Sequence, residues 1–156
     1  MKSTLILVDV QNVYYTTRQA FGRNFDYNQF WALATSDKTL TKAFAYAIDR
    51  GDQKQREFQN ILRAIGFEVK LKPFIQRSDG SAKGDWDVGI TIDAMEYSEQ
   101  AGQVVLVSGD GDFALLVEHL KNKGKQVMVY GVEQLTADSL KRAASQFIAI
   151  DGGLLL

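Results

Sequence analysis

The stretch Gln103–Leu120, QVVLVSGDGDFALLVEHL, decides how the chain is read. An unbroken apolar run stops at Ser108, two aspartates follow with a glycine before each, and an amphipathic helical pattern resumes at Phe113. A continuous Val/Leu run of this length is a strand buried on both faces, as in parallel sheets. The turn then leads into a helix that covers the sheet. Strand, glycine-containing turn and helix form half of a β-α-β unit, and ligands of such folds bind where those turns lie.

Working outward, the same alternation repeats. TLILVD (Thr4–Asp9) predicts the first strand, with a helix from about Val13 to Ala20. FDYNQFWALATS predicts a short helix, and TKAFAYAID (Thr41–Asp49) a second strand weakened by its alanines. DQKQREFQNILRAIG carries Phe58, Ile61, Leu62 and Ile65 at helical spacing, with Gly66 as its stop. FEVKLKPF alternates as a half-exposed strand, and IQRSDGSAKGDW is a polar, glycine-containing loop. A helix from about Trp86 to Gln100 leads into QVVLVSG, and KQVMVYG, TADSLKRAASQ and FIAI complete the series. The expectation is one domain over residues 1–156, a Rossmann-like three-layer α/β sandwich with a mainly parallel central sheet.

The composition narrows the chemistry. There is no Cys, which excludes disulfides, thiolate zinc sites and a cysteine nucleophile. The lone histidine, His119, falls within a helical pattern and reads as an exposed helix residue. The apolar stretch before Asp9 is too short for a leader peptide or a membrane span, so a soluble, cytoplasmic protein without membrane contact is expected. A net charge of −1 decides nothing about partners. The acids are skewed, with 13 Asp against 6 Glu, and Asp9, Asp85, Asp87, Asp93, Asp110 and Asp112 crowd into three short stretches.

Those stretches converge if the sheet is parallel. Asp9 ends the first strand, Asp110 and Asp112 follow the fourth, Asp87 opens a helix, and Asp49 ends the second strand. Carboxylates gathered on one rim repel, and a divalent cation relieves the repulsion. Oxygen ligands without Cys or a useful His select Mg²⁺ or Mn²⁺ over Zn²⁺. The bland alternatives are ordinary: Asp9 and Asp112 read equally well as helix caps. Gly109 and Gly111 imply a backbone shaped around Asp110, with Ser108 beside it and Asn12 within reach of the same rim. Asp87 and Asp93 stand about 120° apart on a helix, so both cannot face one ion equally. Asp85 could stand in for Asp87. Lys83 could meet a phosphate or be a solvated loop lysine. Lys70, Lys72 and Arg77, with Arg50, Lys54 and Arg56, offer charge to a polyanion, while Tyr14, Tyr15 and Trp86 offer rings for stacking or for packing.

Together, LVDVQNVY, KGDWDVGITIDAM and VLVSGDGDFALLV resemble the NYN domain, the LabA-like branch of the PIN-like nucleases. The resemblance implies an acidic site that binds Mg²⁺ or Mn²⁺ and cuts RNA, with single-stranded RNA the expected partner. It assigns Asp9, Asp87, Asp110 and Asp112 as catalytic and metal-binding. Asn12, Ser108 and Lys83 become substrate-binding candidates, with Asp93, Asp85 and Asp49 behind them. One departure stands out. The family often has a single residue between the motif's glycine and aspartate, whereas Asp85 and Trp86 separate Gly84 from Asp87. Which carboxylate reaches the ion is thereby left open. The competing expectation is a non-catalytic RNA-binding or regulatory module of the same fold; a small-ester phosphatase ranks lower, because Gln11 stands where such enzymes place a second aspartate. A homo-oligomer is compatible with the sequence.

Overall fold

A computed structural model describes residues 2–73, 75–76, 82–83 and 85–156. Six strands form an all-parallel sheet: β1 (Lys2–Asp9), β2 (Lys38–Asp49), β3 (Glu68–Pro73), β6 (Gln103–Val107), β7 (Gln126–Gly131) and β8 (Gln146–Ala149). Between β3 and β6, β4 (Ile75–Gln76) and β5 (Ala82–Lys83) pair antiparallel. The stretch expected to be a plain loop therefore contains a short ladder. The spatial order is β3-β2-β1-β6-β7-β8. The chain builds outward from β1 in one direction, then returns to build outward in the other, so β1 and β6 flank the switch point of a doubly wound sheet.

Side-chain parity on β1 sorts the two cores. Ile6 and Val8 pack with Val13, Phe30 and Leu62, which come from α1 (Val10–Phe21), α2 (Tyr27–Thr35) and α3 (Gln53–Ile65). Leu5 and Leu7 pack with Ile90, Val117 and Leu140 of α4 (Asp87–Tyr97), α5 (Ala114–Asn122) and α6 (Asp138–Ala143). Both faces of β1 and β6 are buried, which is why their sequences lack an apolar/polar alternation. Burial of these aliphatic side chains stabilises the fold by about 1.5–3 kcal/mol each.

Two local differences from the sequence reading have clear causes. Helix α1 starts at Val10 because Asp9 caps it, accepting from the Asn12 N–H. On α3 the buried positions are Gln59 and Leu62, while Ile61 is 54% exposed. A polar residue on the inner stripe defeats a periodicity argument built on apolar residues alone.

Helix α4 is fastened to the sheet by polar contacts. Buried Asp93 accepts from the Tyr46 hydroxyl at 2.8 Å and from Lys70 Nζ at 2.7 Å. Burial and the Asp93 carboxylate push the Tyr46 phenol far above its ordinary range. At the start of α4, Trp86 Nε1 donates to the Ala47 carbonyl at 2.9 Å, and Lys72 Nζ lies 4.6 Å from the Trp86 ring centre. Gly89 leaves room for that ring, since a Cβ there would sit 2.5 Å from Trp86 Cε3. Removing the cation with Lys70→Met leaves a buried carboxylate on one hydroxyl, and thermal denaturation should show a loss of about 2 kcal/mol. Adding Asp93→Asn to that variant should recover much of the loss.

Candidate functional site

The parallel ladder sets the site's frame. Val8 pairs with Val107, so Asp9 and Ser108 leave adjacent strands side by side. Ser108 Oγ donates to Asp9 Oδ2 at 3.1 Å and accepts the Asp110 N–H at 3.2 Å. Asn12 Oδ1, one turn into α1, accepts the Gly109 N–H at 2.9 Å. Two of these hydrogen bonds tie the end of β1 and the start of α1 to the turn after β6, and the third holds the turn together.

The turn itself is shaped by Asp110 rather than Asp112. Asp110 Oδ1 accepts the Asp112 N–H at 2.9 Å and caps the short 3₁₀ turn Gly111–Phe113 that precedes α5. Asp112 is exposed and caps nothing, contrary to the expectation that it would. The two glycines also serve a different purpose from the one expected. Neither has a positive φ. A Cβ on Gly109 would meet the Leu135 carbonyl oxygen at 2.8 Å, and one on Gly111 would meet Ala137 Cβ at 2.8 Å. They are glycines because the segment before α6 lies directly against the turn.

Among the described residues, Asp87, Asp110 and Asp112 each offer a carboxylate oxygen, all within 4.8 Å of one another. Asp87 reaches the cluster from the first turn of α4. Asp9 lies behind it, only 7% exposed. Burial lifts its carboxyl to about 6 against the hydrogen bonds from Ser108 and Asn12 that hold it down; the charges of Asp110 and Asp85 add to the rise. Asp87 is pushed up to about 7, first by desolvation and then by the charge of Asp110, with which it shares a hydrogen bond. A carboxyl raised by desolvation and by the charge of neighbouring carboxylates is the signature of packed negative charge. Such a hard, oxygen-only donor set suits Mg²⁺ or Mn²⁺.

The remaining candidates are distributed as follows. Asp93 is held by Tyr46 and Lys70. Asp85 is exposed and accepts weakly from the Asp87 N–H, 3.4 Å away, while its carbonyl accepts from Lys72. Between the two residues left open by the motif's register, Asp87 is the one in the cluster. Asp49 accepts the Gly51 N–H in the turn after β2. Arg77 and the side chain of Lys83 lie outside the described residues. Lys70, Lys72 and Trp86 are engaged in fastening α4 and its approach, whereas Tyr14 and Tyr15 are each 52% exposed on α1. His119 is exposed on α5.

A cavity of about 740 Å³ lies between α1 and α3, which sequence reasoning did not anticipate. Its walls include Val10, Tyr14, Tyr15, Phe58 and Gln59. The exposed tyrosines were its one visible trace in the sequence.

Residues 3–151 match the NYN domain. The chain belongs to the NYN domain family. This NYN chain is 29% identical over 154 residues to the low amplitude and bright protein LabA of Synechococcus elongatus, covering 94% of itself and 82% of that protein. It also superposes on the crystal structure of VPA0982 from Vibrio parahaemolyticus, described as a protein of unknown function. That match has a TM-score of 0.95 and 59% identity, and it covers 99% of this chain and 96% of the other. The three segments that carried the resemblance supply Asp9, Asp87, Asp110 and Asp112 to the rim. No helix among the described residues is long and apolar enough to cross a membrane.

Two outcomes follow for this NYN site. The folded-state value of about 6 for Asp9 lies above its ordinary 3.8, so the folded chain holds the proton more tightly than the unfolded chain. Stability contributed by that proton is full below about pH 4 and is lost as pH rises through 6. Asp9→Asn keeps an oxygen to cap α1, and without divalent cations it should raise the pH 7 stability by on the order of 1–3 kcal/mol. Its stability should also vary less between pH 4 and 6, as chemical denaturation across that range would record. Gly109→Ala, by contrast, drives a methyl into the Leu135 carbonyl and should cost about 1–3 kcal/mol in the same assay.

Proposed function

We propose that this chain is a single-unit metal-dependent ribonuclease that hydrolyses phosphodiester bonds in single-stranded RNA. The observation that carries this reading is the cluster of Asp87, Asp110 and Asp112 oxygens within 4.8 Å of one another, at the switch point of a parallel sheet. Membership of the NYN domain family supports it.

Asp87, Asp110 and Asp112 would hold Mg²⁺ or Mn²⁺, which supplies an acidified water and offsets charge on the phosphate. The chain's own residues do the placing. Asp110 is fixed by its hydrogen bond to the Asp112 N–H and by Ser108 beneath its own N–H. Asp87 is fixed through α4, which Tyr46 and Lys70 anchor by way of Asp93. Asp9 is the fourth carboxylate of the rim, adding negative charge from a buried position and orienting Ser108. Asn12 holds the Gly109 N–H and so sets the height of the turn. No histidine is needed, because acidifying the water is what the cation would supply; the raised proton affinity of Asp87, to about 7, reflects the crowding of negative charge that a cation would relieve.

Purified protein should cleave single-stranded RNA with Mn²⁺ or Mg²⁺ and remain inactive in a chelator. Its melting temperature should rise on adding Mn²⁺. Asp110→Asn retains an oxygen to cap the turn, yet should lower cleavage about a hundredfold or more and abolish the Mn²⁺-induced rise. RNA binding without turnover in the wild-type protein, unchanged in Asp110→Asn, would instead make the chain a non-catalytic RNA-binding module.

A further inference from the structure

The cavity between α1 and α3 has features that the acidic rim does not use. It opens at the same edge of the sheet, because its walls include Val10 and Gln11, which directly follow Asp9, and Ala47 and Ile48 at the end of β2. Its volume of about 740 Å³ matches pockets that take small organic ligands. Tyr14 and Tyr15 stand half-exposed in its wall with ring centres 5.5 Å apart and edge to face. Gln59 also lines it, is only 3% exposed, and its Nε2 has no hydrogen-bond partner. A buried amide donor without an acceptor costs about 1–3 kcal/mol, so its retention on an otherwise apolar helix stripe needs a reason. Arg50 and Lys54 bring positive charge to the cavity. Its two side-chain carboxylates, Asp26 and Asp52, each accept one backbone N–H as caps of α2 and α3.

We propose that this cavity is a nucleobase pocket that takes the base of an RNA nucleotide next to the phosphate held at the acidic rim. The proposal rests on the ribonuclease reading for the choice of RNA as occupant. Tyr14 and Tyr15 give the ring a stacking wall, and a small rearrangement of Gln59 lets its amide donate to a ring nitrogen or carbonyl of the base. Lys54, in the same wall, offers positive charge to the nucleotide's phosphate. Phe58, Ile61 and Ile65 add apolar surface to the wall.

The test is titration of ¹⁵N-labelled protein with each of the four nucleoside 5′-monophosphates, followed by chemical shifts, alongside cleavage assays on short single-stranded RNAs. The Gln59 side-chain amide and the backbone amides of Tyr14 and Tyr15 should shift with at least one base. Gln59→Leu and Tyr14→Ala should weaken that binding about tenfold, the worth of one hydrogen bond or one stacked ring. Gln59→Leu should melt no lower than wild type, since it removes an unsatisfied donor, and this separates lost binding from lost folding. If none of the four nucleotides shifts these signals, or both variants bind as tightly as wild type, the pocket is not a base site, whatever the cleavage assay shows. If the shifts appear and depend on Gln59 while no RNA is cut, the pocket stands and the hydrolytic reading falls.

Discussion

The hydrogen-bonded ladder between β1 and β6 is the constraint on which everything else depends. It joins segments about a hundred residues apart and fixes their register, with Val8 opposite Val107. Because the strands run parallel, both end at the same edge, and the residues just beyond them are forced together. Asp9, Ser108 and Asp110 meet for that reason and not through any affinity of carboxylates for one another, which is negative. The cores on either side of the sheet supply the free energy that holds them there.

Holding like charges together requires rigid neighbours, and the rim is surrounded by them. Asn12 is bonded to Gly109, Ser108 bridges Asp9 and the Asp110 amide, and the segment before α6 presses on both turn glycines. Helix α4 brings Asp87 while a buried Asp–Lys–Tyr group secures its middle. A cluster that would relax apart on flexible loops is kept compact, with the strain visible as raised proton affinity at Asp9 and Asp87.

Much of this was legible in the sequence, for identifiable reasons. Buried parallel strands write themselves as unbroken apolar runs, so TLILV and QVVLV announced both the sheet and its direction. Strand ends followed by aspartates then located the rim. What periodicity does not record is which polar atom meets which. Nothing in GDGDF says that Asp110 rather than Asp112 closes the turn, or that the glycines answer to a chain segment some 25 residues later. Lys70, Lys72 and Trp86 looked like a nucleic-acid face because unpaired and paired side chains look alike in sequence. Gln59 was passed over because an inward-facing amide breaks the apolar stripe that defined its helix.

The order β3-β2-β1-β6-β7-β8 divides the sheet into an early half and a late half that meet only along the β1–β6 seam. Residues 2–73 supply one half and residues 103–149 the other; Asp9 ends a strand of the first, Asp110 and Asp112 follow a strand of the second, and Asp87 comes from α4 between them. Neither half alone carries all four carboxylates of the rim, since Asp9 belongs to the first and Asp110 and Asp112 to the second. A nascent or partly unfolded chain therefore displays single aspartates of no particular chemistry, and the concentrated charge comes into being only when the halves dock. The fold delays that concentration of charge until the two halves are joined.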